Sequence, residues 1–189
     1  MRMLLVLIAT PVLAAPFFWE GKPALEDRIY KKNEILVSVK NEDKRSKLHG
    51  VGLIKATPAK VAQVATDTDK IRARVHEIKE LSWDQKTGAF KSRIQLLWID
   101  QNIEGRAHYY EADKDQPKRI EYHIDKGLWF TAKGTVYMRA YNEGKSCVTI
   151  IDATTIEEKE FSWPVRVAME ATLQRMAGAL RHYVEEGAP

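Results

Sequence analysis

Six side chains in two neighbouring stretches have the types that acid–base chemistry uses: Arg106, His108 and Tyr110, then Arg119, Glu121 and His123. Within each stretch they recur every second residue, so a strand puts all three on one face. The turn-type residues 113–117 between the stretches make the two strands antiparallel neighbours. On an inward face, a histidine beside a tyrosine and a glutamate could polarise a ligand carbonyl or move a proton. The intervening Ile120, Tyr122 and Ile124 are better suited to the covered face, however. The six are therefore read as a solvated cross-strand charge set, and no catalytic residue is expected. His49, His76, His108, His123 and His182 are scattered, without HExxH, His-x-His or Cys/His spacing, so neither a metal site nor a cofactor is expected. Cys147 is the only cysteine and sits beside Val148, Ile150 and Ile151, which makes it a buried, inert thiol. No glycines flank a serine as in a nucleophile elbow, and nothing resembles a phosphate loop.

The elements that must position such residues follow from the periodicities. Residues 162–186 hold about six turns of helix at 3.6 residues each. Ser162 offers an N-cap and Pro164 falls in the first turn, where a missing N–H costs nothing. Val165, Met169, Thr172, Leu173, Met176, Leu180, Tyr183 and Val184 form one apolar stripe, opposite Arg166, Glu170, Gln174, Arg175, Arg181 and Glu185. Such a helix draws its stability from packing and needs a large apolar surface to lie on.

From residue 76 onward the period becomes two. Strands are predicted over 76–83, 90–99, 104–112, 119–125, 130–141 and 146–158, separated by turn-type residues 85–88, 100–102, 113–117, 125–127 and 142–144. Connections this short force a meander. Ile94, Leu96 and Trp98 alternate with Arg93 and Gln95, and Ala132, Gly134, Val136, Met138 and Ala140 with Lys133, Thr135 and Arg139. One face is thus expected to be solvated and the other covered by the final helix. Upstream, residues 35–39 and 48–55 read as a hairpin or one long interrupted strand. Thr57-Pro58 and Thr66-Asp67-Thr68-Asp69 then open two short helices in tandem. Residues 16–34 form an arm, with a short helix over 24–31.

The chain has 189 residues, 44% hydrophobic and 30% charged, enough for one domain with a well-developed core. Its net charge of +4 comes from bases interspersed with acids, and no basic stripe with interleaved aromatics points to nucleic acid. Met1-Arg2-Met3 followed by the apolar run 4–13 and Ala14 has the pattern of a cleavable secretory signal. The run is too short to span a bilayer, which takes about 20 residues. The domain plan is therefore a signal peptide over 1–14, an arm over 15–34 and a single domain over 35–186, periplasmic or secreted. An exported chain with one cysteine has no internal disulfide, so its stability must come from its core.

Three stretches resemble landmarks of the START-like helix-grip superfamily, which includes polyketide cyclases and coenzyme Q-binding START proteins. Ile54-Lys55-Ala56-Thr57-Pro58-Ala59-Lys60-Val61 is similar to that family's entry from the first strand into the first helix. Ala65-Thr66-Asp67-Thr68-Asp69 matches its junction of two helices, and Phe161-Ser162-Trp163-Pro164 its aromatic-proline entry into the gripping helix. The aromatic-Pro-x-x-x-x-Arg-Asp signature of some lipid-transfer members has no counterpart. The resemblance spans residues 35–186 and implies an α+β helix-grip fold: a curved antiparallel sheet of about seven strands wrapped round the long C-terminal helix, with two short helices after the first strand.

It also implies an apolar cavity between sheet and helix. Its expected lining is Val64, Ile94, Leu96, Trp98, Gly134, Val136, Met138, Met169, Leu173, Met176 and Leu180, with the three methionines adaptable to varied apolar ligands. The expected function is binding of a hydrophobic small molecule or lipid without catalysis, by a monomer that neither spans a membrane nor binds nucleic acid. A cyclase- or hydrolase-like enzyme using the same cavity, with His108, His123, Glu121 or Tyr110 as acid–base groups, is one alternative. An envelope protein-interaction module with a filled core is the other.

Overall fold

Asp43 and Lys44 both take the left-handed backbone conformation, φ 53° and 60°, as a two-residue type I′ hairpin requires. They turn the first apolar stretch into two strands, β1 (Leu36–Glu42) and β2 (Arg45–Ile54). The computed structural model describes residues 17–96, 99–127 and 130–186, with only the backbone of Leu96 and Ile99. The expected signal peptide over 1–14 lies outside them. After a four-residue helix α1 (Pro23–Glu26), a π-helical turn (Asp27–Lys31) and the hairpin come α2 (Pro58–Ala65) and α3 (Thr68–Arg74). The Thr57 hydroxyl accepts from Lys60 N at 3.2 Å to cap α2, and Asp67 accepts from Lys70 N at 3.1 Å to cap α3.

The meander follows as β3 (Ile78–Trp83), β4 (Ala89–Leu96), β5 (Ile99–Tyr110), β6 (Lys118–Lys126), β7 (Ala132–Tyr141) and β8 (Ser146–Thr155), and α4 (Trp163–Glu186) ends the chain. All eight strands join one antiparallel sheet in the order β1-β2-β8-β7-β6-β5-β4-β3. The hairpin makes eight strands where about seven were expected. A second difference concerns Asp100, Gln101 and Asn102, expected as a turn but paired within β5 with Gln95, Ile94 and Arg93. Ladder pairing with β4 overrides the local turn preference of Asp and Asn.

Two irregularities help bend the sheet. Register shifts occur between Ile78 and Glu80 and between Glu104 and Gly105, and such bulges add local bend and twist. Gly105 is required there, because a Cβ would lie 2.0 Å from the carbonyl oxygen of His123. The concave face receives α4, whose polar flank engages the edge strand. Glu170 accepts from Val39 N at 2.6 Å, and Gln174 donates to Ile35 O at 2.9 Å. Arg181 donates to Asn33 O at 2.6 Å, and Glu185 accepts from Lys55 N at 2.8 Å. On the opposite flank Arg175 reaches Glu77, next to β3, at 3.1 Å.

The convex face is not simply solvated. Trp19 and Ile29 are fully buried against Leu36, Val51, Leu53, Val148 and Ile150, with Phe17, Phe18, Leu25, Tyr30 and Tyr137 around them. The segment before β1 therefore covers the β1-β2-β8-β7 half of that face. The local signal is the apolar run Cys147-Val148 and Ile150-Ile151, since adjacent apolar residues on a strand need cover on both sides. Because Trp19 is completely buried and stacks on Phe17 at 5.1 Å, Trp19→Ala is expected to cost about 3–5 kcal/mol in urea unfolding. A loss below 1 kcal/mol would mean that the arm is peripheral.

Candidate functional site

Along the concave side, β8 sends Cys147, Ile151, Ala153 and Thr155 inward, in register with inward residues of β2 and β7. At one end this face is filled. Ile54, Val61, Val64, Met138, Cys147, Tyr183 and Val184 form a buried cluster under α2 and the last turns of α4. At the other end α4 stands off from the sheet and leaves an apolar chamber of about 140 Å³. Met169, Leu173 and Met176 form its helical wall, and Leu48, Ile94, Ile103, Tyr122, Ile124, Ala132 and Ala153 its sheet wall. Phe130 and Phe161 close one side, edge to face at 5.3 Å.

Of the expected lining residues, the chamber brings together Ile94, Met169, Leu173 and Met176. Val64 and Met138 belong to the filled cluster instead. Val136 and Leu180 are half-buried outside the chamber wall. Gly134 lies beneath the Tyr122 ring, whose hydroxyl is 2.6 Å from where a Cβ on Gly134 would sit. The Leu96 side chain and Trp98 fall outside the described residues. Ile103 was missed because it fell between the predicted turn over 100–102 and the predicted strand beginning at 104. Phe161 was read only as an entry into the helix. Tyr122 and Ile124 carried the right signal, alternation onto the covered face, but were not assigned to the lining.

The acid–base set lies on the other side of the sheet. Arg106, His108, Tyr110, Glu121 and His123 line an open groove of about 590 Å³ on the convex face, together with Lys133, Thr135, Asp152 and Thr154, and it reaches Tyr122, Gly134 and Ala153, of which Tyr122 and Ala153 also border the chamber. Most of its charges are paired within the sheet. Arg119 bonds Glu121 at 2.8 Å and Asp113 at 3.3 Å. Asp125 lies 3.4 Å from His123 and 3.6 Å from Arg106, and His49 is 3.4 Å from Asp152. Exposed pairs of this kind add little stability, and none of these side chains faces the chamber. Among the described residues no group of three His, Cys, Asp or Glu side chains is placed to hold a metal ion.

Among the described residues, the titratable side chain that does line the chamber is Tyr122. Burial holds its phenol well above the usual tyrosine range, and the negative charge of Asp152 adds to the effect. It therefore stays protonated at neutral pH and can donate a hydrogen bond but not act as a base. Burial also pushes the Cys147 thiol up to about 12, which removes the thiolate that nucleophilic chemistry needs.

The backbone answers to a known architecture. A START superfamily protein from Mycobacterium smegmatis superposes with a TM-score of 0.60 at 15% identity, covering 74% of this chain and 97% of the other. The fold is START-like. A STAR-related lipid transfer protein from Xanthomonas axonopodis matches this START-like fold with a TM-score of 0.58 at 17% identity, over 79% of this chain and 93% of that one. An aromatase/cyclase from a Streptomyces species gives 0.56 at 10% identity, over 75% and 92%. No protein-family model and no curated protein matches the sequence. Among the described residues no helix is long and apolar enough to cross a membrane.

Two consequences are measurable. Gly134→Ala would place a Cβ 2.6 Å from the Tyr122 hydroxyl and 2.7 Å from both the Ala153 Cβ and the Asp152 carbonyl oxygen. Since the backbone oxygen cannot yield, thermal unfolding of that variant should show a loss of about 1–3 kcal/mol. The second concerns alkaline pH. A free thiol titrates near 9 and folded Cys147 near 12, so the folded state keeps a proton that the unfolded state releases. The stability this provides is complete below pH 9 and is lost as pH rises from 9 toward 12. Cys147→Ala should flatten that part of the stability–pH curve, and an unchanged slope would contradict the assignment.

Proposed function

We propose that this protein binds a hydrophobic small molecule, or the hydrophobic part of a lipid, in the chamber between α4 and the sheet, and holds it without chemical change. The observation that carries the reading is a chamber with an almost wholly apolar lining, one wall of which contains the adaptable side chains of Met169 and Met176. Ligand sites are typically concave and mostly apolar, with a few placed polar groups. The solved structures that share the fold include one named as a lipid transfer protein and one as an aromatase/cyclase. Likeness of fold is a weak warrant for function by itself, so the chamber lining has to bear the weight. The acid–base set on the convex face supports holding a ligand rather than transforming it, because no reacting group inside the chamber would meet it.

In this reading residues 1–14 direct export and are removed, and the domain works as a monomer in the periplasm or outside the cell. It needs no cofactor, no metal and no nucleic-acid partner. The test combines mass spectrometry of the solvent extract from natively purified protein with the variant Leu173→Trp. The wild type should yield a stoichiometric apolar compound. The variant should yield none and keep its melting temperature within a few degrees, because the indole occupies space that a ligand otherwise takes. A filled core would instead lose about 1–3 kcal/mol to overpacking, and an empty wild-type extract across several growth conditions would sink the proposal.

A further inference from the structure

The chamber has a size and a single polar handle, and together they narrow what it can hold. A dry apolar cavity of about 150 Å³ accepts a benzene molecule, and this chamber measures about 140 Å³. One ring or a short branched chain fills it. A carboxylate or phosphate would enter without a counter-charge, because among the described residues no Lys, Arg or His contributes to the lining, and burying an unpaired charge is strongly unfavourable.

The polar side chains at its border differ in what they have left to offer. A hydroxyl has one proton to donate. Ser46 spends its proton on Asn41 Oδ1 at 2.8 Å while accepting from Phe161 N at 2.8 Å. Thr155 spends its proton on Lys159 O at 3.1 Å while accepting from Ser46 N at 3.1 Å. The Thr154 hydroxyl is buried without a hydrogen-bond partner, but it is in register with Lys47 and Lys133, on the convex side of the sheet. Tyr122 remains. Its ring crosses Gly134 toward Ala153, a chamber wall residue, and its hydroxyl makes no hydrogen bond among the described residues. A partly buried phenol with an uncommitted proton calls for an acceptor from the ligand.

Resting on the reading of the chamber as a ligand site, we infer that its ligand is a compact, neutral molecule, a single ring or short branched chain carrying one carbonyl- or ether-type oxygen, to which the Tyr122 hydroxyl donates. A long fatty acid or a phospholipid would bring a charge that the described lining does not match and a chain larger than the chamber. The phenol of Tyr122, kept protonated by its burial, serves as donor throughout the neutral range.

Two isosteric probes test this on the full-length protein. Cyclohexanone and methylenecyclohexane differ in presenting an oxygen or a CH2 at the same place. By calorimetry, cyclohexanone should bind the wild type about tenfold more tightly than methylenecyclohexane, the scale of one net hydrogen bond. Tyr122→Phe should erase that difference while leaving methylenecyclohexane within about twofold, which also shows that the variant is folded. Should the variant fail to fold, the Tyr122 ring-carbon resonance next to the hydroxyl in the wild type decides. It should move with cyclohexanone and stay with methylenecyclohexane. Cyclohexanecarboxylate should not bind. Equal binding of the two neutral probes, an unchanged preference in Tyr122→Phe, or binding of the carboxylate would overturn the inference and leave the apolar chamber standing. Failure of both neutral probes to bind would overturn the chamber reading itself.

Discussion

The structure depends on how α4 is tied to the sheet. An edge strand presents unpaired backbone groups, and β1 is such an edge. Glu170 and Gln174 hydrogen-bond Val39 N and Ile35 O directly, and Arg181 and Glu185 bind the backbone just beyond the hairpin at Asn33 and Lys55. On the other flank the Arg175–Glu77 pair at 3.1 Å brings the helix to the opposite end of the strand order. Held along two borders of a bent sheet, the helix is suspended over the concavity instead of lying flat in it.

What fills the concavity differs along its length. Toward the C-terminal end of α4, α2 brings Val61 and Val64 against Tyr183 and Val184, and with Met138 and Cys147 they close the interior. Toward the N-terminal end of α4 no helix among the described residues fills the space between Met169, Leu173, Met176 and the sheet. Phe130 and Phe161 wall it off. Small residues on the sheet, Ala132 and Ala153, leave room where larger ones would have packed the core, and bare Gly134 makes way for the Tyr122 ring. The buried convex-face cluster around Trp19 supplies a second core that does not depend on the chamber being occupied. This second core and the chamber thus lie on opposite faces of the same sheet.

The order of strands and helices was legible because turn-type residues punctuate a period of two and then give way to a period of 3.6. The α4 stripe likewise identified Met169, Leu173 and Met176 as inward residues. Periodicity cannot show which part of an inward stripe meets side chains and which meets space. That division is set by where α2 lands, and it separates Met138 and Val64 from Ile94. The turn at Asp43–Lys44 was ambiguous because neither residue is a glycine, although both adopt positive φ. Cover of the convex face was hidden for a different reason. Residues 17–31 show no clear period, and their apolar side chains find their partners in strands far along the chain, Val148 and Ile150 among them. Tyr122 shows the limit most clearly: alternation assigned it to the covered face, but its role as the polar handle depends on the absence of a side chain at Gly134, its cross-strand neighbour.

The most direct measurement is a crystal structure of the ligand-free protein under xenon pressure, since xenon enters dry apolar cavities. Xenon density is expected between Met169, Leu173 and Met176 on one side and Ile94 and Ile103 on the other, and not within the filled cluster around Met138 and Tyr183. A structure without xenon at that place, with the three helical side chains packed directly onto the sheet, would contradict the central claim that α4 stands off from the sheet over an apolar chamber.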